Sequence, residues 1–251
     1  MVWLRGLVVV IGLVALWQAV VSATGVPDFI LPPPLDVARA LVADAVLLAE
    51  HAAVTLTEIL LGLACGAAFG MATALAMAAW RPARDWLLPV IVASQAIPVF
   101  ALAPILVLWL GFDLWPKIAM ATLIIYFPVA SSFFDGLRRT DPGLLDLART
   151  MGASRASTLR RVRLPAAIPA LASGLRVGVA VAPIGAVVGE WVGASAGLGH
   201  LMLHAKARTD TPRMFAALIV LALIGVILYL AADRLLRRAV PWHAESSPAE
   251  D

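Results

Sequence analysis

The stretch "AAVTLTEILLGLACGAAFGMATALAMAA", residues 52–79, decides the fold of this chain. It is almost wholly apolar, and it exceeds the about 20 residues that a helix needs to cross a bilayer. Backbone N–H and C=O groups in lipid must be hydrogen-bonded within the chain. The stretch therefore predicts a membrane-spanning α-helix.

The composition of the whole chain agrees with this prediction. Of 251 residues, 62% are hydrophobic and 14% are charged, whereas soluble proteins have about 25% charged residues. The mean hydropathy is +0.93 and the sequence pI is about 9.6. The net charge is only +3, and the basic residues gather at the ends of apolar segments, which favours membrane topology over nucleic-acid binding. The one cysteine, Cys65, lies in an apolar run, which excludes a disulfide framework and a cysteine metal site.

Six apolar segments predict an all-α integral membrane protein with six transmembrane helices. Residues 1–25 form the first span, which is retained because "VSATG" is a weak cleavage site for a signal peptide. Residues 26–51 form an external connector and a surface helix, and residues 52–235 form a five-span core that contains a cytoplasmic loop, 136–165. Residues 236–251 form a polar cytoplasmic tail. The expected spans are 6–24, 52–79, 86–110, 116–135, 166–190 and 213–234.

Residues 34–51, "PLDVARALVADAVLLAEH", repeat apolar residues at helical spacing with charges between them. This pattern is typical of an amphipathic helix lying on the membrane surface. The prolines of the preceding "FILPPP" predict an extended connector.

The distribution of lysine and arginine predicts the orientation. With both termini in the cytoplasm, thirteen basic residues lie inside (5, 81, 84, 138, 139, 149, 155, 160, 161, 163, 234, 237 and 238) and five lie outside (39, 117, 206, 208 and 213). Short cytoplasmic loops carry the excess of positive charge. The loop between the fourth and fifth spans is therefore expected inside the cell.

This loop contains the signals of two short helices. Asp141-Pro142 predicts a capped helix start, and Gly152 predicts its end in a left-handed turn. Ser154 predicts the cap of a second helix, 155–162, whose arginines face outward. Leu164-Pro165 is expected to stop this helix and begin the fifth span.

The loop resembles the signature of the permease subunits of bacterial ATP-binding-cassette (ABC) importers. That signature reads Glu-Ala-Ala, three residues, Gly, nine residues, Ile, any residue, Leu-Pro. Here the same spacing joins Asp146-Leu147-Ala148, Gly152, Val162 and Leu164-Pro165. Asp, Leu and Val replace Glu, Ala and Ile, which are chemically similar residues. A basic loop that only sets topology would explain the arginines but not this spacing.

The resemblance implies a coupling helix that docks on a separate ATPase and transmits its motion. It implies two ATPase subunits, an external solute-binding protein, and a homodimer in the bacterial inner membrane. The chain has no G-x-x-x-x-G-K-[ST] phosphate loop, so we expect no enzymatic activity and no cofactor bound by this chain; ATP and Mg are expected on the partner ATPase. The expected coupling residues are Leu144, Asp146, Leu147, Ala148, Arg149, Met151, Gly152, Arg155, Val162, Leu164 and Pro165.

Further segments resemble the nitrate/sulfonate/taurine group of these permeases. They are "LPPPLDVARAL", "IPVFALAPILVLWLGF" and "GLRVGVAVAPIGAVVGEWVGASAGLGHLM". Within the group, "APIGAVVGEWVGASAGLG" and "FDGLRRTDPGLLDLARTMGAS" are most similar to permeases for thiamine-pyrimidine precursors of the hydroxymethylpyrimidine type. Sulfonate, taurine, nitrate or another small solute is the alternative within the group.

Five residues within spans are candidates for the translocation pathway: Gln95, Pro98, Arg176, Pro183 and Glu190. Prolines free carbonyl groups in lipid, and an intramembrane charge indicates function by default. Arg176 lies about 16 Å of helix rise beyond Pro165, and it could pair with a neighbouring helix, snorkel or line the pathway. Glu190 is expected near the outer face, as a gate or docking residue or simply solvated. Gln95 could hydrogen-bond a neutral heterocycle.

Other sites and classes find less support in the sequence. His200 and His204 are four residues apart, but without a carboxylate at matching spacing they do not predict a metal site. An ion-coupled secondary transporter would show an internal repeat with paired membrane acids. A membrane scaffold or enzyme would show a catalytic cluster or an apolar dimer motif in place of the loop signature.

Overall fold

The computed structural model describes residues 2–242, and this part of the chain is helical with short connections. The eleven α-helices are α1 (Val2–Thr24), α2 (Pro34–Ala43), α3 (Ala45–Ala79), α4 (Arg81–Ser94), α5 (Val99–Leu110), α6 (Trp115–Arg138), α7 (Pro142–Thr150), α8 (Arg155–Thr158), α9 (Leu164–Gly193), α10 (Leu198–Ala207) and α11 (Thr211–Ala239). A π-helical turn, Leu159–Arg163, joins α8 to α9.

The apolar helices agree with a membrane protein. Within residues 2–242, four helical segments are long and apolar enough to cross a bilayer: α3, α6, the continuous run Arg155–Gly193, and α11. The pair α4 and α5 would add a fifth. Helix α1 is apolar over Val8–Thr24. The count of six spans therefore stays a prediction, as do the domain boundaries and the side of each terminus.

Helix α6 lies at the centre of the bundle because small residues let two helices approach it closely. A Cβ on Gly66 of α3 would lie 2.8 Å from Ile125 Cβ, and a Cβ on Gly185 of α9 would lie 2.7 Å from Ala121 Cα. Ala121 and Ile125 are fully buried. Without a strong hydrophobic drive between helices in lipid, such close packing supplies the association energy.

The segment predicted as the third span, 86–110, is broken in the structure. The chain bends by 103° between α4 and α5. Ala96 N donates to Ala93 O and Ile97 N donates to Ser94 O, so the end of α4 tightens into three-residue turns. Pro98, which has no N–H to continue the ladder, then precedes the first residue of α5. Hydropathy marks the apolar length but not this break.

The segment predicted as one surface helix, residues 34–51, is divided between two helices. Helix α2 ends at Ala43, and α3 begins at Ala45 and continues without a break into the span. Asp44 lies between them, and its Oδ2 and Oδ1 accept hydrogen bonds from Arg213 Nε at 2.8 Å and Nη2 at 3.1 Å. This ion pair ties the α2–α3 junction to α11. At the other end, α11 reaches Ala239, four residues into the predicted tail, and residues 243–251 of that tail lie outside the described residues.

Candidate functional site

Helix α7 of the loop between α6 and α9 begins as its sequence predicts. Asp141 is the N-cap, its Oδ1 accepts a hydrogen bond from Gly143 N at 2.7 Å, and Pro142 is the first helical residue. Leu144, Leu147 and Met151 are 48%, 56% and 77% exposed. Their spacing of three and four residues places them on one helix face. Ala148, another of the predicted coupling residues, lies at the edge of this face and is buried.

Gly152 ends this helix in the left-handed conformation, as predicted, with a φ of +73°. Gly152 N donates to Arg149 O and Ala153 N donates to Ala148 O, each at 2.9 Å. These bonds satisfy carbonyl groups that the helix end would leave unpaired. A Cβ at Gly152 would meet nothing within 4 Å, so the backbone conformation alone requires glycine here.

The second loop helix starts as predicted but does not stop at Leu164-Pro165. Ser154 Oγ accepts from Ser157 N at 3.2 Å and caps the helix. After Thr158 the chain widens into the π-helical turn, in which Leu164 N donates to Leu159 O. Pro165 follows as the second residue of α9. The second loop helix, the π-helical turn and α9 therefore form one continuous helical segment, Arg155–Gly193.

Arg163, the residue just after the predicted second helix, points toward the bundle. Its Nε donates to Leu137 O at 3.0 Å, and its Nη1 donates to Ala78 O at 3.4 Å. These carbonyls lie in the last turns of α6 and α3, where helices leave acceptors unpaired. One side chain therefore fastens the base of the loop to two helices of the core.

The remaining predicted coupling residues lie around this framework. Asp146 and Arg149 form an exposed ion pair at 2.7 Å, and Arg155 and Pro165 are exposed. Val162 and Leu164 are half-buried. Their contact with an ATPase stays a prediction.

The predicted pathway residues do not converge on one site. Gln95 is exposed and caps the end of α4 at the bend, and not in mid-span as expected. Pro98 lies three residues further on, before α5. Arg176 Nε donates to Asp233 Oδ1 at 2.8 Å, which joins α9 to α11. Pro183 is half-buried in α9, and a Cβ on Gly225 of α11 would lie 3.4 Å from its ring.

Glu190 is buried to 1% exposure in a polar cluster, and it is not solvated. Thr55 Oγ1 donates to its Oε1 at 2.6 Å. The amide N–H groups of Gly199 and His200 donate to its Oε2. Leu198 N, in turn, donates to Thr55 Oγ1 at 2.8 Å. The carboxylate thus caps the start of α10, where unpaired amides and the helix dipole favour a negative charge.

Two further charges complete what we call the Glu190 cluster: Thr55, Glu58, Lys117 and Glu190. Glu58 is fully buried, Lys117 is 6% exposed, and Lys117 Nζ lies 3.7 Å from Glu58 Oε1. Glu58 was not among the predicted site residues, although an acid within the span 52–79 is a default functional signal. Lys117 was predicted as an external topology charge, whereas its side chain is buried in the bundle.

Three histidine rings lie beside this cluster. The ring centroids of His200 and His204 are 4.2 Å apart, and those of His51 and His200 are 6.1 Å apart. His51 Nδ1 accepts a hydrogen bond from Gly197 N at 2.9 Å. Burial, reinforced by His204 and His51, lowers the pKa of His200 below its ordinary value of 6.5. No group of three or more potential metal ligands occurs within residues 2–242.

An apolar helical bundle with a capped, exposed loop helix agrees with the resemblance to a transport permease. Residues 66–241 match the family of binding-protein-dependent transport system inner membrane components, and the chain belongs to that family. The resemblance that the loop spacing indicated is confirmed. The chain is an ABC importer permease subunit and not an enzyme, and ATP hydrolysis belongs to a separate subunit.

Several known proteins are similar along nearly the whole chain. A probable ABC transporter permease protein of Haemophilus influenzae is 52% identical over 94% of this chain and 97% of its own. The riboflavin permease RibX of Chloroflexus aurantiacus is 40% identical, over 92% of this chain and 87% of its own. The formylaminopyrimidine permease ThiX of Halalkalibacterium halodurans is 36% identical, over 92% of each. The methionine ABC transporter MetNI shares the fold, with a TM-score of 0.67 and 23% identity over 79% of this chain and 98% of its chain.

Proposed function

We propose that this permease passes a neutral pyrimidine of the hydroxymethylpyrimidine class, a thiamine precursor, delivered by an external binding protein. The observation that carries the proposal is the similarity to a formylaminopyrimidine permease over 92% of each chain. The riboflavin relative favours a second candidate, riboflavin. Pyrimidines and flavins are both nitrogen heterocycles, so the two relatives support a solute of this chemical class.

The surface of α9 supports a neutral solute. Ser173, Val177, Ala180 and Ile184 form an exposed stripe along this helix, and none of them carries a charge. The nearby Arg176 is turned toward Asp233 of α11. A pathway for an anion such as a sulfonate would need a positive charge along its wall, because an anion is costly to desolvate.

We further propose that two copies of the chain pair across this stripe and enclose the pathway. Helix α9 packs against α6, α3 and α11 and leaves one face uncovered over most of its length. A two-fold assembly would place the same face of each copy against the other. Solute would then pass between two walls of the same chemistry.

Coupling would run through α7. The exposed face of Leu144, Leu147 and Met151 is the anchor we propose for a groove on the ATPase, and Arg149 and Arg155 are its charged rim. ATP and Mg would bind the two ATPase subunits. Their closure would push α7, and the helical run from Arg155 to Gly193 would carry the movement into the bundle.

Reconstituted transport tests both parts of the proposal. The permease, its ATPase and its binding protein would be placed in proteoliposomes, with ATP supplied to the ATPase side. We expect ATP-dependent uptake of labelled hydroxymethylpyrimidine that unlabelled formylaminopyrimidine reduces and taurine does not. Uptake of riboflavin alone, or of taurine, would reject the pyrimidine. A purified complex that contains one permease copy for two ATPase copies would reject the homodimer.

A further inference from the structure

The Glu190 cluster buries two carboxyl groups beside one ammonium group. Glu58 and Glu190 are 0% and 1% exposed, and Lys117 is 6% exposed. If both acids were ionised, the cluster would hold an excess negative charge away from water. Such a charge is costly unless it is neutralised or paired.

The donors in the cluster distinguish the two acids. Glu190 accepts one hydroxyl and two amide hydrogen bonds, from Thr55, Gly199 and His200. Hydrogen bonds of this kind stabilise the ionised form. Within residues 2–242, neither oxygen of Glu58 has a hydrogen-bond partner. Lys117 Nζ, at 3.7 Å, is beyond hydrogen-bonding distance.

Thr55, which donates to Glu190 Oε1, lies one helical turn before Glu58 on α3, so the carboxyl groups of Glu58 and Glu190 are neighbours in the cluster. Two ionised carboxylates contain no donor, whereas a protonated carboxyl has one O–H. A proton on Glu58 would therefore give this buried pair its missing hydrogen bond. It would also leave Glu190 and Lys117 as one negative and one positive charge.

We infer that the Glu190 cluster is a proton-binding site, in which Glu58 holds one proton at neutral pH and donates it in a hydrogen bond to Glu190. The protonated site would join α3, α9 and α10, because Glu190 accepts hydrogen bonds from the amides at the start of α10 and Thr55 accepts one from Leu198 N. Deprotonation would set two negative charges against each other at the point where α3, α9 and α10 meet.

The other groups facing the pair come from each packed helix. Helix α3 supplies Thr55 and His51, α6 supplies Lys117, and α10 supplies His200. Because burial lowers the pKa of His200, this histidine stays neutral at and above neutral pH and does not offset the charge of the carboxyl pair.

Infrared spectroscopy of the purified full-length permease tests the proton directly. At about pH 8, carboxyl groups with ordinary pKa values of about 4 are ionised, so a C=O band of a protonated acid would come from a perturbed one. We expect this band in the native protein and in the control Glu50→Gln, whose side chain is exposed on the same helix. We expect its loss in Glu58→Gln, whose amide can donate to Glu190 in place of the acid.

Two further measurements keep the inference testable if Glu58→Gln does not fold. Labelling the native protein with ¹³C-glutamate should shift the band, and labelling with ¹³C-aspartate should not. The thermal midpoint of the native protein should fall as the pH rises above about 7, because the folded chain would keep a proton that an unfolded-chain glutamate, with a pKa of about 4.3, has lost. The midpoint of a folded Glu58→Gln should change less. Absence of the band from the native protein would overturn the site, as would its persistence in Glu58→Gln or a shift only with labelled aspartate.

Discussion

Replacement of Gly152 by valine tests whether the loop geometry transmits work. Gly152 has a φ of +73°, and a Cβ there would meet nothing within 4 Å. The substitution therefore changes the backbone preference of one residue without creating a clash. The membrane bundle should remain folded, because Gly152 lies outside its packed core.

The expected magnitude comes from the turn alone. The left-handed conformation costs a residue with a Cβ about 1–2 kcal/mol of conformational energy, and a β-branched residue rarely adopts it. A change of this size alters an equilibrium by about 5–30-fold. The valine would disfavour the turn conformation that orients α7 relative to α8. The affinity of the permease for the ATPase subunit should therefore fall by about that factor.

Binding of the purified ATPase to the detergent-solubilised permease, together with ATP-driven uptake in proteoliposomes, measures the effect. Gly152→Asn is the first control, because asparagine tolerates the left-handed conformation, and it should retain most activity. Gly111→Val is the second control, because Gly111 also has a positive φ, of +83°, and an open Cβ position, but it ends α5 far from the loop in sequence. Its ATPase affinity should match that of the native chain.

Normal uptake by Gly152→Val would refute a coupling role for this turn. Equal losses in Gly152→Val and Gly152→Asn would show that the backbone argument is wrong. Equal losses in Gly152→Val and Gly111→Val would indicate general misfolding in place of a local effect on the loop.

Three further predictions concern separate features of the molecule. Gly185→Ala should lower the thermal midpoint by an amount that matches about 1–3 kcal/mol of overpacking, because its Cβ would lie 2.7 Å from Ala121 Cα. The control Gly12→Ala, whose Cβ would meet nothing within 4 Å, should leave the midpoint unchanged. Equal midpoints for the two variants would count against the close α6–α9 contact. Leu147→Asp should abolish co-purification of the ATPase and Asp146→Lys should weaken it, while membrane insertion stays normal; full recovery of the ATPase with either variant would remove that residue from the contact. Because the pKa of His200 is lowered, the unfolded chain binds more protons there, so native stability should fall as the pH drops through about 6.5; His200→Gln should reduce that fall, and an unchanged pH profile would exclude His200 as its cause.

Local chemistry explains why much of the loop could be predicted. Asp141, Gly152 and Ser154 form hydrogen bonds with backbone groups within a few residues of themselves. Their roles can therefore be inferred from the adjacent sequence. The spacing from Asp146 to Pro165 indicated the family by its resemblance to the permease signature, which can be compared without a structure. The end of the second helix could not be inferred, because Pro165 normally indicates a helix start and the π-helical turn before it has no simple sequence signal.

Distant partners explain why the polar cluster was missed. Thr55 and Glu190 are 135 residues apart in the chain, and each looks like an isolated polar residue near an apolar run. Lys117 was counted with the loop charges because hydropathy does not show on which face of a helix a side chain lies. The same limit applies to Arg163, whose acceptors are carbonyls of α6 and α3.

The sequence by itself determined that this protein lies in a membrane, which segments are apolar enough to span it, and that one loop carries the coupling signature. These properties depend on transfer of side chains from water to lipid and on short-range hydrogen bonds, both of which act residue by residue. Only the tertiary structure decided the bend before Pro98, the continuous helical run into α9, and the meeting of Glu58, Lys117 and Glu190. Those features depend on which helices lie side by side, because a buried charge is stable only where a partner from elsewhere in the chain reaches it.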